Sequence, residues 1–489
     1  MPTTDILLIA VNARYGHCSF AARCLVANLG ALRDRAAILE TDLDVAPFQL
    51  AAEIASRQPR VAGFPVYLWN AGVVRETLSI LRCVVPEIRL VVGGPEIAPE
   101  TVDAWMAAAD AVVVDEGETA FRQICEQEMA ENSRPRAERP GRLVMGEAEE
   151  WSGLVLPYDL YTDVDLARRT LYVESSRGCP YRCAYCTSGG TRLRLAPLDR
   201  LFPAFDRLLD RGSRSFRFLD RSFNASEEHA CAVLDFFLAR HPARLSLHLE
   251  ILPTRLGDEL RRRLLAFPPC VLHLEVGVQT LNAAVARRIG RACDPVMVLE
   301  TVKFLMREAR ATVHVDLIFG LPGEDEASFA AGFDRLVREL DPPELQVNLL
   351  KRLPGTQFAT DPLFAGLVFN PNPPYELLAS DAMDFVTVNR LQSVARCWEL
   401  VHNRGRFPRA AARVWQEGHA SPFARYAALA AQIRTAEGRL HALGADRLGG
   451  HLTRFLTDAC GLSPAESETL VAADRASFGA TTGPCSWRR

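Results

Sequence analysis

With 489 residues and roughly 150 residues per domain, the chain has room for about three domains, which excludes a single small module. Apolar residues at 48%, charged residues at 24%, 31 Gly and 30 Pro exclude a disordered or fibrous chain. Lys plus Arg total 56 against 60 Asp plus Glu, a net charge of -4, so the chain has no global basic field to hold a phosphate backbone and nucleic acid is not an expected partner.

The first residues, with Ile6 to Val11 as the first apolar run, are too short and lack the basic leader of a signal peptide, and no 18-residue apolar run follows. A cytoplasmic location without membrane contact is expected. From 5 to 120, short β-branched runs at 5–11, 61–67, 90–94 and 111–114 alternate with helical spacing such as Phe20 to Leu32. That alternation predicts an α/β class and a doubly wound, Rossmann-like parallel sheet over 1–140. Ligands of such sheets sit beyond the carboxyl ends of the strands. Those ends carry Asn12, Arg14, Tyr15, His17 and Ser19, then Tyr67, Trp69 and Asn70, then Gly93 and Gly94, then Glu116 and Gly117.

Residues 141–168 lack a period and read as a linker. A second alternation follows over 169–365, with strands expected at 171–176, 215–220, 245–251, 271–278, 312–319 and 345–350. Six strands separated by helical stretches predict a partial (β/α)6, TIM-like barrel whose active residues stand at strand ends. Beyond Pro374 the chain is rich in Ala, Leu and Arg at helical spacing, so 366–489 is expected to be a helical region without strands.

Thirteen Cys, an odd number, favour metal-binding thiols in a reduced compartment over a disulfide framework. Ten are scattered, among them Cys18, Cys24, Cys83, Cys293 and Cys485, and three crowd together as Cys179, Cys183 and Cys186, a CxxxCxxC pattern directly after the first barrel strand. Spacings of four and three also describe one helix face of small buried residues, and a tetrahedral zinc site would need a fourth close ligand. Gly178, Pro180, Gly189 and Gly190 favour a loop wrapped around a ligand. Three thiolates on a four-iron cluster leave one iron open to bind a substrate.

The motif resembles that of the radical S-adenosylmethionine (radical SAM) superfamily, whose loop holds a 4Fe-4S cluster that chelates the amino and carboxylate groups of S-adenosylmethionine. The resemblance extends over 171 to about 360 and is closest to the branch of oxygen-independent coproporphyrinogen oxidase and the Elongator-type enzymes, through the runs Leu274 to Thr280 and Val315 to Gly323. It implies that Gln279 and Asp316 bond the ribose hydroxyls, that Glu250 holds the ribose or the methionyl amine, and that Arg291 pairs with the carboxylate. It also implies that Tyr185 flanks the adenine and that Asp220, with Arg221, belongs to the amine-binding segment.

The N-terminal strand ends are similar to those of cobalamin-binding domains. The likeness implies that Gly93 and Gly94 admit a macrocycle, that Tyr67 and Trp69 offer it apolar faces, and that Asn12, Arg14 and Ser19 contact its amides or tail, with Tyr15, Asn70, Glu116 and Gly117 in the same binding edge. The DxHxxG motif of mutases is absent, and His17 is the nearest candidate for a cobalt ligand. The C-terminal region resembles the helical extension of an uncharacterised subset of this class. Together these resemblances imply a cobalamin-dependent radical SAM enzyme that cleaves S-adenosylmethionine reductively to a 5'-deoxyadenosyl radical and methylates an unactivated carbon of a small molecule. Electrons would come from a donor such as flavodoxin or ferredoxin. The alternatives are cyclisation or ring rearrangement without methyl transfer, a transfer-RNA methylthiotransferase, whose second cluster needs three N-terminal cysteines at one edge, and a cobalamin sensor with a vestigial barrel.

Overall fold

Apolar runs without alternation become strands buried on both faces, as parallel sheets require; β1 (Ile6–Asn12) is buried over its first six residues. The computed structural model describes residues 4–130, 141–240, 242–291, 294–340, 344–416 and 420–477. β2 (Ala36–Asp42), β3 (Val61–Pro65), β4 (Arg89–Gly93), β5 (Ala111–Val114) and β6 (Arg142–Met145) complete a parallel sheet in the order β2-β1-β3-β4-β5-β6. Its strand order reverses between β1 and β3, the switch point at which such sheets open a crevice. One face is packed by the helices Pro47–Arg57, Ala71–Val84 and Val102–Ala108, the other by Phe20–Ala27 and Glu118–Ala130, giving two separate cores.

A second set of parallel strands forms the open barrel: β7 (Leu171–Val173), β10 (Ser215–Phe218), β11 (Ser246–Ile251), β12 (Leu272–Gln279), β13 (Thr312–Phe319) and β14 (Glu344–Leu349), in sequential order from β7 to β14. Between β7 and β10, β8 (Ser176–Arg177) pairs antiparallel with β9 (Arg194–Leu195) and closes the neck of the cysteine loop. The six expected barrel strands are all present, within a few residues of their expected bounds.

Four strands depart from the sequence expectation. β2 is mostly half-exposed and β6 mostly exposed; as sheet edges they are covered on one side only, and their short apolar runs, Ala36 to Leu39 and Leu143 to Met145, do not stand out, and β6 occupies the start of the segment expected to be linker. Further on, β15 (Val368–Phe369) pairs antiparallel with β16 (Leu377–Ala379) inside the region expected to be wholly helical. The rest of that region is helical, through Phe385–Trp398, Pro408–Gln416, Pro422–Glu437, Ala445–Cys460 and Pro464–Ser477. Its first helix buries Trp398 edge-on against Phe333 of the barrel at 5.0 Å and against Tyr426 at 4.8 Å, so barrel and C-terminal helices share one core. Among the described residues no helix is long and apolar enough to cross a membrane.

Buried ion pairs join the first sheet to the barrel. Arg23 donates to Glu40 and to Asp165, each at 2.8 Å, and Arg169 meets Glu40 at 3.0 Å. Arg177, on β8, holds Glu174 and Glu118 at 2.8 Å and Glu116 at 3.3 Å. Ten of the described cysteines are free, Cys270 is disulfide-bonded, and Cys293 and Cys485 lie outside the described residues.

Candidate functional site

The cysteine loop is a series of tight turns whose glycines are required by close backbone approach. Gly178 has φ +84° and its missing side chain would run into the Arg192 carbonyl, while a Cβ on Gly189 would lie 2.9 Å from the Cys183 carbonyl oxygen and 3.2 Å from that of Cys186. The amide of Cys186 donates to the carbonyl of Cys183, and that of Gly189 to the carbonyl of Cys186. These turns bring Cys179, Cys183 and Cys186 to one cavity of about 150 Å³, together with Tyr185, Arg221, Glu250, Glu275, Gln279, Arg291 and Asp316. All of the expected cluster ligands and all but one of the expected S-adenosylmethionine contacts therefore line a single space.

Each contact is held by an identifiable device. At the end of β12 the register with β13 shifts between Gly277 and Gln279, and Gln279 adopts φ +68°; such a bulge re-aims a side chain. The buried Oε1 of Gln279 has no hydrogen-bond partner, an acceptor left for a ligand donor. Arg291 places Nη1 3.5 Å from Cys183 Sγ and 3.4 Å from the Tyr185 hydroxyl, and Nη2 donates to the Gly277 carbonyl. A Cβ on Gly277 would lie 2.8 Å from Gln279 Nε2 and 3.2 Å from Arg291 Nη2, so glycine there makes room for both.

The cavity concentrates negative charge. Burial, and then the nearby Glu275, push the Glu250 carboxyl up to about 7 against the pull of Arg221. Burial, with Glu275 and Glu250 beside it, raises Asp316 well above the usual carboxylate range. Glu275 is held low, first by its bond to His248 at 3.0 Å. Three carboxyl groups crowding one buried space suit a ligand that carries positive charge.

Asp220 does not line this cavity. It is 1% exposed, and its oxygens accept from the Ser175 amide and hydroxyl at 2.9 and 2.7 Å and from the Ser176 hydroxyl at 2.6 Å. Its carboxylate fixes the chain entering the cysteine loop, and its neighbour Arg221 is the one that reaches the site. Glu275, on the strand that carries Gln279, also lines the site and was not singled out.

At the carboxyl edge of the first sheet a cavity of about 400 Å³ lies between the two domains. Tyr67, Gly93, Gly94, Glu116 and Gly117 line it, with Phe20, Cys24 and Phe121 from the sheet side and Arg177, Leu219 and Arg221 from the barrel. Gly94 has φ +112°, and a Cβ there would lie 2.7 Å from the Val66 carbonyl oxygen. Asn70 stands behind this wall: its Oδ1 accepts from the Tyr67 amide at 2.8 Å and its Nδ2 donates to Val11 and Pro65 at 3.1 Å. Trp69 stacks on Tyr67 at 4.4 Å from outside.

The remaining expected residues are elsewhere. Asn12 donates to the His17 carbonyl at 3.0 Å and to Glu40 at 3.2 Å. His17 Nδ1 bonds the Tyr172 hydroxyl at 2.6 Å, and burial lowers its pKa first of all. Ser19 caps the first helix, Tyr15 lies under the Arg169 guanidinium at 4.5 Å, and Arg14 reaches a third cavity at the barrel mouth. Cys24 lines the interdomain cavity whereas Cys83 is exposed on a different helix.

Residues 6–125 match the B12 binding domain, residues 173–336 the radical SAM superfamily, and residues 365–476 a family of unknown function, DUF4080. The chain joins a B12-binding domain to a radical SAM domain. A 2-(S-pantetheinyl)-carbapenam-3-carboxylate methyltransferase of Streptantibioticus cattleyicolor is 24% identical over 366 residues, 65% of this chain and 50% of that protein. The chain spans between half and two thirds of the length of this and another curated relative. Among solved structures, the radical S-adenosylmethionine methyltransferase TsrM of Kitasatospora setae, with cobalamin and a [4Fe-4S] cluster bound, superposes with TM-score 0.57 at 20% identity over 76% of this chain and 82% of that one. The cobalamin-dependent S-adenosylmethionine radical enzyme OxsB, with aqua-cobalamin and S-adenosylmethionine bound, does so with TM-score 0.63 at 11% identity over 98% and 84%. At these identities the likeness is one of fold.

Proposed function

We propose that the chain is a cobalamin-dependent radical SAM methyltransferase acting on a small molecule. The observation that carries this reading is Arg221, which lines both the cavity of the three cysteines and the cavity of the B12-binding domain. The two spaces are neighbours across one side chain, which is what transfer between two cofactors requires.

Both donor sets fit their groups. Three thiols on turns that present them to one cavity suit a cluster held at three irons. The orphaned Oε1 of Gln279, the Arg291 guanidinium beside Cys183, and the crowded Glu250 and Asp316 suit a ligand with hydroxyl donors, a carboxylate and positive charge. An apolar space framed by Gly93, Gly94, Tyr67 and Phe121 suits a flat macrocycle. His17, bonded to Tyr172 and off that wall, is left out of this reading as a cobalt ligand. When bound, these groups supply a 5'-deoxyadenosyl radical and a transferable methyl group.

The protein's part is to orient and to shield. Arg291 grips a carboxylate beside Cys183, Gln279 and Asp316 fix the ribose, Glu250 meets the ammonium, and Arg177 seals the domain junction with three carboxylates. The small-molecule substrate, an external electron donor and a cytoplasmic setting belong to the same proposal. The curated methyltransferases favour methyl transfer over cyclisation, and the separation of Cys24 from Cys83 disfavours a second cluster.

Anaerobic reconstitution with iron, sulfide and hydroxocobalamin tests it. The expected loading is about four iron and one cobalt per chain, with reductive cleavage of S-adenosylmethionine. Iron near four without retained cobalt overturns the cobalamin assignment, and iron near eight moves the methylthiotransferase to the front.

A further inference from the structure

The third cavity, about 910 Å³, opens at the barrel mouth and shares Tyr185, Glu275, Gln279 and Asp316 with the cysteine cavity. Its outer wall comes from the region of unknown function. The helix Phe385–Trp398 buries Val388, Leu391, Val394, Cys397 and Trp398 and then runs on as a π-helix over Glu399–Asn403. Its opposite face carries Gln392, Arg396 and Glu399 into the cavity, at the spacing of one helical stripe. Single π-turns recur at functional sites because they shift a stripe out of the regular helical phase.

The charges on this wall are unevenly satisfied. Glu344 is 3.5 Å from His314, and Glu399 accepts from Asn403 at 3.0 Å and from Arg404 at 3.3 Å. Arg396 gives Nε to the Leu440 carbonyl at 3.1 Å. Among the described residues neither Arg396, Lys351 nor Arg14 has a carboxylate partner, and all three line the cavity. They come from three parts of the molecule, and Lys351 is one of two lysines in a chain whose other cations are arginines. Five carboxylates, Glu275, Asp316, Glu344, Glu376 and Glu399, line the same cavity, but among the described residues none lies within ion-pair distance of these cations, so an oxyanion placed between the cations relieves their mutual repulsion.

Resting on the reading of the adjoining cavity as the reaction centre, we infer that the C-terminal helical region is the substrate-recognition wall, and that the substrate is a water-soluble small molecule anchored by a carboxylate or phosphate oxyanion to Arg396 and Lys351, with Arg14 at the rim. Its hydroxyl or ammonium hydrogens meet Glu376, which stands opposite Lys351 in an isolated antiparallel bridge and lines the same cavity. Ile318, on the same face of β13 as Asp316, offers an apolar surface next to the reaction centre, where the carbon to be attacked belongs.

Calorimetric titration of the full chain with glutarate, inorganic phosphate and putrescine as probes tests this. The expected result is binding of glutarate, phosphate or both, weakened at least tenfold in Arg396→Gln/Lys351→Gln and restored to within threefold in Arg396→Lys/Lys351→Arg. A preference for glutarate identifies a carboxylate substrate, and one for phosphate a phosphorylated one. Should Arg396→Gln disturb the helix, seen as a lowered thermal transition, Lys351→Gln and Arg14→Gln repeat the test without touching helix packing. Putrescine binding more tightly than either anion, no binding of either anion, or anion affinity unchanged in the Gln variants overturns the proposal. S-adenosylmethionine cleavage by the reduced wild type, measured alongside, separates the two readings: its absence with anion binding intact sinks the radical assignment alone.

Discussion

Gln279 pays a left-handed backbone to bring a buried, unpartnered oxygen into the site, and its removal isolates that contact. Gln279→Leu is expected to weaken S-adenosylmethionine binding about tenfold, the worth of one hydrogen bond to a buried acceptor, while leaving iron loading unchanged; a fall in iron would show that the residue serves the loop instead. Glu324 offers a pH-dependent counterpart. It is 1% exposed, accepts from Thr280 at 2.6 Å, and burial pushes its carboxyl up to about 7. Between the ordinary carboxylate value and 7 the native state holds a proton that the unfolded chain releases, so this group's stabilisation is complete below the ordinary value and lost as pH rises through 7. The loss is on the order of 3 kcal/mol at roughly 1.4 kcal/mol per pH unit. Glu324→Gln is expected to reduce the drop in urea midpoint between pH 5 and pH 8; an unchanged drop would sink the assignment. At this scale Glu250, Gln279, Arg291 and Asp316 were legible through the family resemblance of the runs around them and not through any local pattern, and all four line one cavity. Asp220 against Arg221 was not, since at a strand end one position decides which of two adjacent side chains faces the cavity and which faces the core. His17 belongs with them: nothing local to it announces Tyr172, 155 residues away.

Strands and loops were legible in proportion to what they bury. β1, β3, β4 and β5 carry continuous apolar runs and the barrel strands mostly carry apolar residues at alternate positions, and each was expected; the edge strands β2 and β6 carry only the short runs Ala36 to Leu39 and Leu143 to Met145, and their pairing is set by neighbours that sequence periodicity does not show. The turn after β4 illustrates what the glycines do for an element. Gly94, at φ +112° and with Val66 backbone atoms 2.7 and 3.0 Å from where a Cβ would sit, lets the end of β4 pass close behind β3. Gly94→Ala is expected to cost about 1 kcal/mol or more from the backbone conformation alone, and to lower cobalamin retention on gel filtration without changing iron content. Equal loss of iron and cobalt would mean that the whole fold, and not the edge of this sheet, had failed.

The division of the molecule into cores governs how it comes apart. The first sheet has two cores of its own, whereas the barrel and the C-terminal helices are one contiguous apolar cluster, tied through Phe333, Trp398 and Tyr426. Sequence showed a barrel and a helical tail as successive segments and could not show that they share a core, because the contacts join residues about 65 and more positions apart. Trp398 is fully buried, and replacing a buried aromatic of this size by Ala removes about 3–5 kcal/mol. Trp398→Ala is therefore expected to lower the thermal transition of barrel and C-terminal helices together. Hydrogen exchange at β12 and β13 should accelerate as much as exchange in Pro422–Glu437, with the amides of β1 and β3 less affected. If exchange accelerates only in the C-terminal helices, the shared core is not a cooperative unit. The wall of the barrel-mouth cavity would then move independently of the strands that carry Gln279 and Asp316, and its stripe of Gln392, Arg396 and Glu399 could not hold a substrate in register with them.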